Sequence, residues 1–132
     1  SAGLLISAIV GLLHFFAPYA FGWYSYIPDA PQAIYASVDY VNFFFSLLLF
    51  GLSLILLLMK KRIFAGSKEL CVFYAFLAFT WLCRVLITLI IPWPTALQTW
   101  LMVGFGTEFI LNLIPMIYLL QSKTIRMTTT NL

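Results

Sequence analysis

Charge is what this chain has least of. Lys, Arg, Asp and Glu together make up 8% of its 132 residues, where an ordinary soluble domain carries about 25%. Histidine occurs once, at His14, which excludes a bis-histidine haem and the paired Glu-x-x-His motifs of a di-iron bundle. Cys71 and Cys83 fall on one predicted helix, roughly 18 Å apart along its axis, too far to bridge each other. They form no Cys-x-x-Cys redox pair, and Cys71 is too remote from His14 for a zinc site. No Gly-rich phosphate loop and no exposed basic–aromatic stripe is present, so the net charge of +3 does not point to nucleic acid. No cofactor or metal is expected.

The chain is instead rich in apolar residues, 64% by count. Four stretches approach the roughly 20 residues that a bilayer demands, at 2–17, 37–59, 70–91 and 96–120. The reading is an all-α integral membrane protein, a single four-transmembrane-helix bundle with a frayed polar tail at 121–132. The first stretch is not read as a cleaved signal peptide, because three more spans follow it without a small-residue cleavage pattern. It is short, so either residues precede it or its helix continues past Pro18. Gly3, Ser7 and Gly11 recur every four residues along it, a stripe that lets another helix approach closely.

The charges that exist are sorted by side. Lys60, Lys61, Arg62, Lys68, Lys123 and Arg126 share one side of the bundle, leaving Arg84 alone of the seven basic residues. By the positive-inside rule that side is cytoplasmic, together with both termini. Gly66-Ser67 supplies the turn of the basic loop. The opposite side carries a loop at 22–36 broken by Pro28 and Pro31 and dense in Trp and Tyr, as a membrane–water interface is. A plain interfacial belt accounts for it, and it is also long enough to lie over the bundle as a lid. Pro92-Trp93-Pro94 ends the third span.

Arg84 sits inside the third span, between Thr80 and Thr88 on one face. An arginine at a helix centre costs about 2.5–3.5 kcal/mol on insertion scales, so it needs a partner. Trp81, three residues earlier, is within reach for a cation–π contact. Asp39, Asn42, Ser46 and Ser53 share a face of the second span, and Gly104, Glu108 and Asn112 a face of the fourth. Pro115 frees the carbonyl of Leu111, with Asn112 near enough to compensate. At about 1.5 Å per residue, Arg84, Asp39, Asn42 and His14 share the outer half, with Glu108 a turn or two deeper. The expectation is an Arg84 pair with Glu108, Asp39 or both, His14 and Asn42 at its edge.

These residues assemble no complete catalytic set. Asp39 and Glu108 lie roughly 10 Å or more apart in depth, which weakens an acid/base dyad. Ser53 lies too far inward to be activated by His14. The leading functional reading is a small, non-enzymatic membrane protein. Its polar cluster (Arg84, Glu108, Asp39, His14, Asn42, Asn112 and Trp81) would bind a lipid-like or quinone-like molecule, or the chain would be a subunit of a larger membrane complex. An anionic or carbonyl head would suit the arginine. A purely structural Arg–carboxylate clamp accounts for the same residues. The alternative is a proton- or cation-coupled transporter using Glu108, and a membrane enzyme acting on a lipid comes third. A membrane-embedded carboxylate in a four-span chain of this length resembles, in architecture alone, the small multidrug-resistance transporters. Their essential glutamate lies in the first span, whereas here that span carries His14, and no family is assigned. The expected partners are membrane lipid and further protein chains, in a homo-oligomer or a complex.

Overall fold

The computed structural model describes residues 2–93 and 96–130, and of 122–130 the backbone alone. Pro94, residues 131–132 and the side chains of Lys123 and Arg126, all used in the sequence reading, lie outside the described residues. The fold is all-helical: α1 (Ala2–His14), α2 (Ala17–Ala20), a 3-10 turn (Trp23–Tyr26), α3 (Gln32–Leu58), α4 (Lys60–Phe64), α5 (Lys68–Ile90) and α6 (Leu97–Thr130). Three of these, α3, α5 and the part of α6 up to Gln121, are long and apolar enough to cross a membrane. α1 is apolar but shorter.

Several boundaries differ from the expected ones, each for a local reason. The first helix breaks at Phe15-Phe16, because Pro18 has no N–H to give the carbonyl of His14. It resumes as α2, where Pro18 sits in a first turn and costs no hydrogen bond. α3 begins at Gln32, five residues before the expected Ser37, since Pro31 caps it and only Pro28 to Pro31 resist the helix. The basic run Lys60-Lys61-Arg62 is itself helical, in α4, which turns Ile63 fully into the core. α4 ends as a Schellman motif: Gly66 takes φ of 98°, its N–H donates to Ile63 O and that of Ser67 to Arg62 O. The Gly66-Ser67 turn is therefore where the sequence put it. α6 continues to Thr130, past the end expected at Leu120, and runs through Pro115 as one helix.

The helices pack as two pairs. α1 lies mainly on α3 and α5 mainly on α6, while contacts between the pairs, α1 with α6 and α3 with α5, are far sparser. A compact apolar core joins them, built from Leu4, Leu49, Leu56, Ile63, Leu77 and Leu119 with Tyr74 and Trp81. Most of the remaining Phe, Leu and Ile side chains are exposed, as the lipid-facing side of a membrane bundle is.

The α1–α3 pair depends on the small-residue stripe. A Cβ built on Gly11 would stand 2.5 Å from the backbone nitrogen of Phe50 and 2.8 Å from its Cα. Backbone cannot step aside as a side-chain tip can. Gly51 has nothing within 4 Å of the same position. Gly11→Ala is therefore expected to lose about 1–3 kcal/mol by overpacking. Gly51→Ala should be neutral or slightly stabilising, as alanine is better than glycine in a helix. Thermal unfolding of the detergent-solubilised variants checks both.

Candidate functional site

The polar residues expected to form one cluster form three. The deepest is centred on Glu108, which is 2% exposed. Its Oε1 accepts from the Ser7 hydroxyl and from Asn112 Nδ2 at 3.0 Å. Asn112 Nδ2 also donates to the Glu108 carbonyl at 2.9 Å, so it does not serve the Leu111 carbonyl that Pro115 frees. Trp81 Nε1 donates to Ser7 Oγ at 2.9 Å. Ser7 thus joins α1 to α5 and to α6 through one oxygen. Gly3, one turn earlier, leaves the space that the Asn112 amide fills: a Cβ there would lie within 2.9 Å of both Asn112 Oδ1 and Nδ2.

The second group surrounds Arg84. Its guanidinium makes no ion pair within 4.0 Å with a described residue, so the expected pairing with Glu108 or Asp39 is not formed. The register of α5 on α6 explains this. Trp81 packs on Phe105 with ring centroids 5.9 Å apart, and Thr88 O accepts from Gln98 Nε2. That register sets Glu108 beside Ala78, some six residues or about 9 Å along the helix from Arg84. Phe105 stands between, and the guanidinium lies 4.9 Å from its ring centroid. The cation–π partner is therefore Phe105 on the next helix and not Trp81.

Arg84 is half-buried and lines a half-open cavity of about 180 Å³ with His14, Trp81, Phe45, Phe105 and Ile87. The His14 ring rests on Phe45 at 5.0 Å, and neither its nitrogens nor the guanidinium hydrogen-bond to a described residue. Helices of both pairs contribute walls. Trp81 belongs to this cavity and to the Glu108 network at once.

The third group is at the exposed end of α3. Asp39 is exposed and accepts from the Tyr24 hydroxyl. A groove of about 460 Å³ runs beside it, lined by Tyr40, Asn42, Phe43 and Pro18 among others. Asn42 is committed elsewhere: its Nδ2 donates to His14 O at 3.0 Å, replacing the N–H that Pro18 lacks. Gln98 does the same at the end of α5, where Pro92 leaves Thr88 O without its usual donor.

Ser7, Phe105, Tyr24 and Gln98 were missed from sequence. Ser7 was visible only as a small residue in a stripe. Asn42 and Gln98 had a readable signal, a carbonyl orphaned four residues before a proline. Among the described residues no group of three or more His, Cys, Asp or Glu is placed to hold a metal. Comparison with protein-family models, with curated proteins and with solved structures finds no match to this chain.

Two measurements follow from this geometry. Ser7→Ala removes both bonds of the shared hydroxyl and should cost about 1–2 kcal/mol. A double-mutant cycle of Ser7→Ala with Trp81→Phe should then show coupling, because each change alone breaks the same contact. At the exposed end, donation to Asp39 holds the Tyr24 phenol in its neutral form and pushes its pKa from 10.0 up to about 12. The bond's contribution is complete below pH 10 and is lost as pH rises through about 12. Tyrosinate absorbance should show a late-ionising component that Tyr24→Phe diminishes by one tyrosine and Asp39→Asn shifts in part toward the ordinary range.

Proposed function

We propose that this protein is a four-span membrane protein, with both termini and the basic α4 turn cytoplasmic, that binds an amphipathic lipid-like or quinone-like molecule. The polar head sits at Arg84 and His14. One observation carries the reading. A half-buried guanidinium that no carboxylate of the described residues neutralises lines a cavity whose other walls are mostly aromatic and aliphatic.

An unneutralised arginine in a spanning helix is costly. An anionic or carbonyl head offers the guanidinium the planar, charge-assisted hydrogen bonds it lacks. The imidazole of His14 adds a second polar group on the facing wall. At about 180 Å³ the cavity admits a head group or a single ring, and a tail would lie along the exposed Phe and Leu faces. The basic residues of α4 and Lys68, gathered at one end of the bundle, support the cytoplasmic placement. The transport reading draws less support, because the Glu108 carboxyl is sealed inside the bundle and lines neither cavity. The clamp reading loses the ion pair on which it rested.

Native mass spectrometry of the protein released gently from its own membrane tests the proposal. The expected result is a stoichiometric bound amphiphile that is lost in Arg84→Ala and weakened in Arg84→Lys, with thermal unfolding showing that both variants fold. A bare protein mass, or an amphiphile retained unchanged in a folded Arg84→Ala, overturns it.

A further inference from the structure

The Glu108 network contains a hydrogen-bond imbalance that the Arg84 cavity does not explain. Every hydrogen in it has a fixed direction. The indole of Trp81 can only donate, so Ser7 Oγ must accept from it and turns its own hydrogen to Glu108 Oε1. The Asn112 amide is oriented by the Glu108 backbone carbonyl, a pure acceptor, which requires Nδ2 on that side. Oε1 therefore receives both donors. Glu108 Oε2 and Asn112 Oδ1, both buried, receive nothing from any described residue. These two acceptors belong to groups already joined on their other side by Nδ2–H to Oε1 at 3.0 Å.

We propose that Glu108 and Asn112 form a proton-binding site, in which one proton on Glu108 Oε2 closes a carboxylic acid–amide pair by donating to Asn112 Oδ1. The Oε2–H bond forms as one O–H bond of a hydronium ion from the solvent breaks and releases water, and no oxidation state changes. The proton turns an unused acceptor into a donor and satisfies the amide oxygen with the same hydrogen. It also removes the charge from a carboxyl that has no cationic partner among the described residues. Among the described residues, the groups facing Glu108 supply no compensating charge. α1 presents Gly3 and Ser7, and α5 presents Trp81 through Ser7, with Tyr74 in the adjoining core. Arg84 is about 9 Å away along α5 and turned to Phe105. The register of Gly11 on Phe50 brings Ser53 of α3 to the level of Ser7, and Ser53 Oγ is the one other buried oxygen without a partner among the described residues. Those three oxygens are fewer than a metal cation needs: a hard cation takes about six or more, and a proton takes two.

Infrared spectroscopy of the chain in lipid bilayers tests this directly. Glu69 and Glu108 are its two glutamates, and Glu69 is exposed. In Glu69→Gln grown with 13C-carboxyl glutamate, the isotope-shifted band therefore comes from Glu108 alone. The expected result is a protonated-carboxyl C=O stretch at neutral pH that moves to higher frequency in Asn112→Leu, where the acid loses its acceptor. The isosteric Glu108→Gln, whose amide N–H replaces the O–H, should keep the thermal stability of the parent. Carboxylate bands alone at neutral pH overturn the proposal. Carboxylate bands with a sodium-dependent rise in thermal stability overturn it in favour of a cation site. The labelled parent decides between these outcomes even where Asn112→Leu fails to fold.

Discussion

The structure depends on one shared oxygen, that of Ser7. Inside a bilayer, helices gain little from burying apolar side chains against each other, since lipid tails are equally apolar. What holds one helix pair to the other must therefore come from close packing and from polar bonds in a dry environment. Ser7 supplies both. Its small side chain lies fully buried between the helices, and its hydroxyl reaches the indole of α5 and the carboxyl of α6 together. Gly3 and Gly11 extend the same logic one turn to either side, the first admitting the Asn112 amide and the second the backbone of α3.

The helical, membrane-type architecture was legible from composition and run length, and so was the Gly66-Ser67 turn. The partners of the polar residues were not, and the reasons are geometric. Depth estimates placed Arg84 and Glu108 within stretching distance. They carry no information on register, and here Phe105 occupies the level between them. Asp39 shares a periodic face with Asn42 and Ser46 on paper, yet it lies at the exposed end of α3 and takes its hydrogen bond from Tyr24. Asn42 and Gln98 looked like candidates for a ligand or for nothing at all. Each instead gives a hydrogen to a carbonyl that a proline four residues later cannot serve.

This last pattern separates two kinds of polar residue in the bundle. Asn42, Gln98, Ser46, Thr80 and Thr88 all spend their hydrogens on backbone carbonyls, so they maintain helices and helix ends. Arg84 and His14 spend none on a described residue, and they face the same space. Hydrogen-bond accounting thus sets the arginine and the histidine apart from the larger polar set.

The pairing of the helices has a mechanical consequence. Contact is much denser within each pair than between the pairs, where it runs through the core, the Ser7 bonds and the Asn112 amide against Gly3. The Arg84 cavity is cut into this sparser seam, with walls from α1 and α3 on one side and α5 and α6 on the other. A molecule bound there, as proposed, would press on both pairs at a level removed from the Ser7 bonds. Widening at the cavity would then load the bonds from Ser7 to Glu108 and Trp81, so that occupancy at one level would be felt as leverage at another.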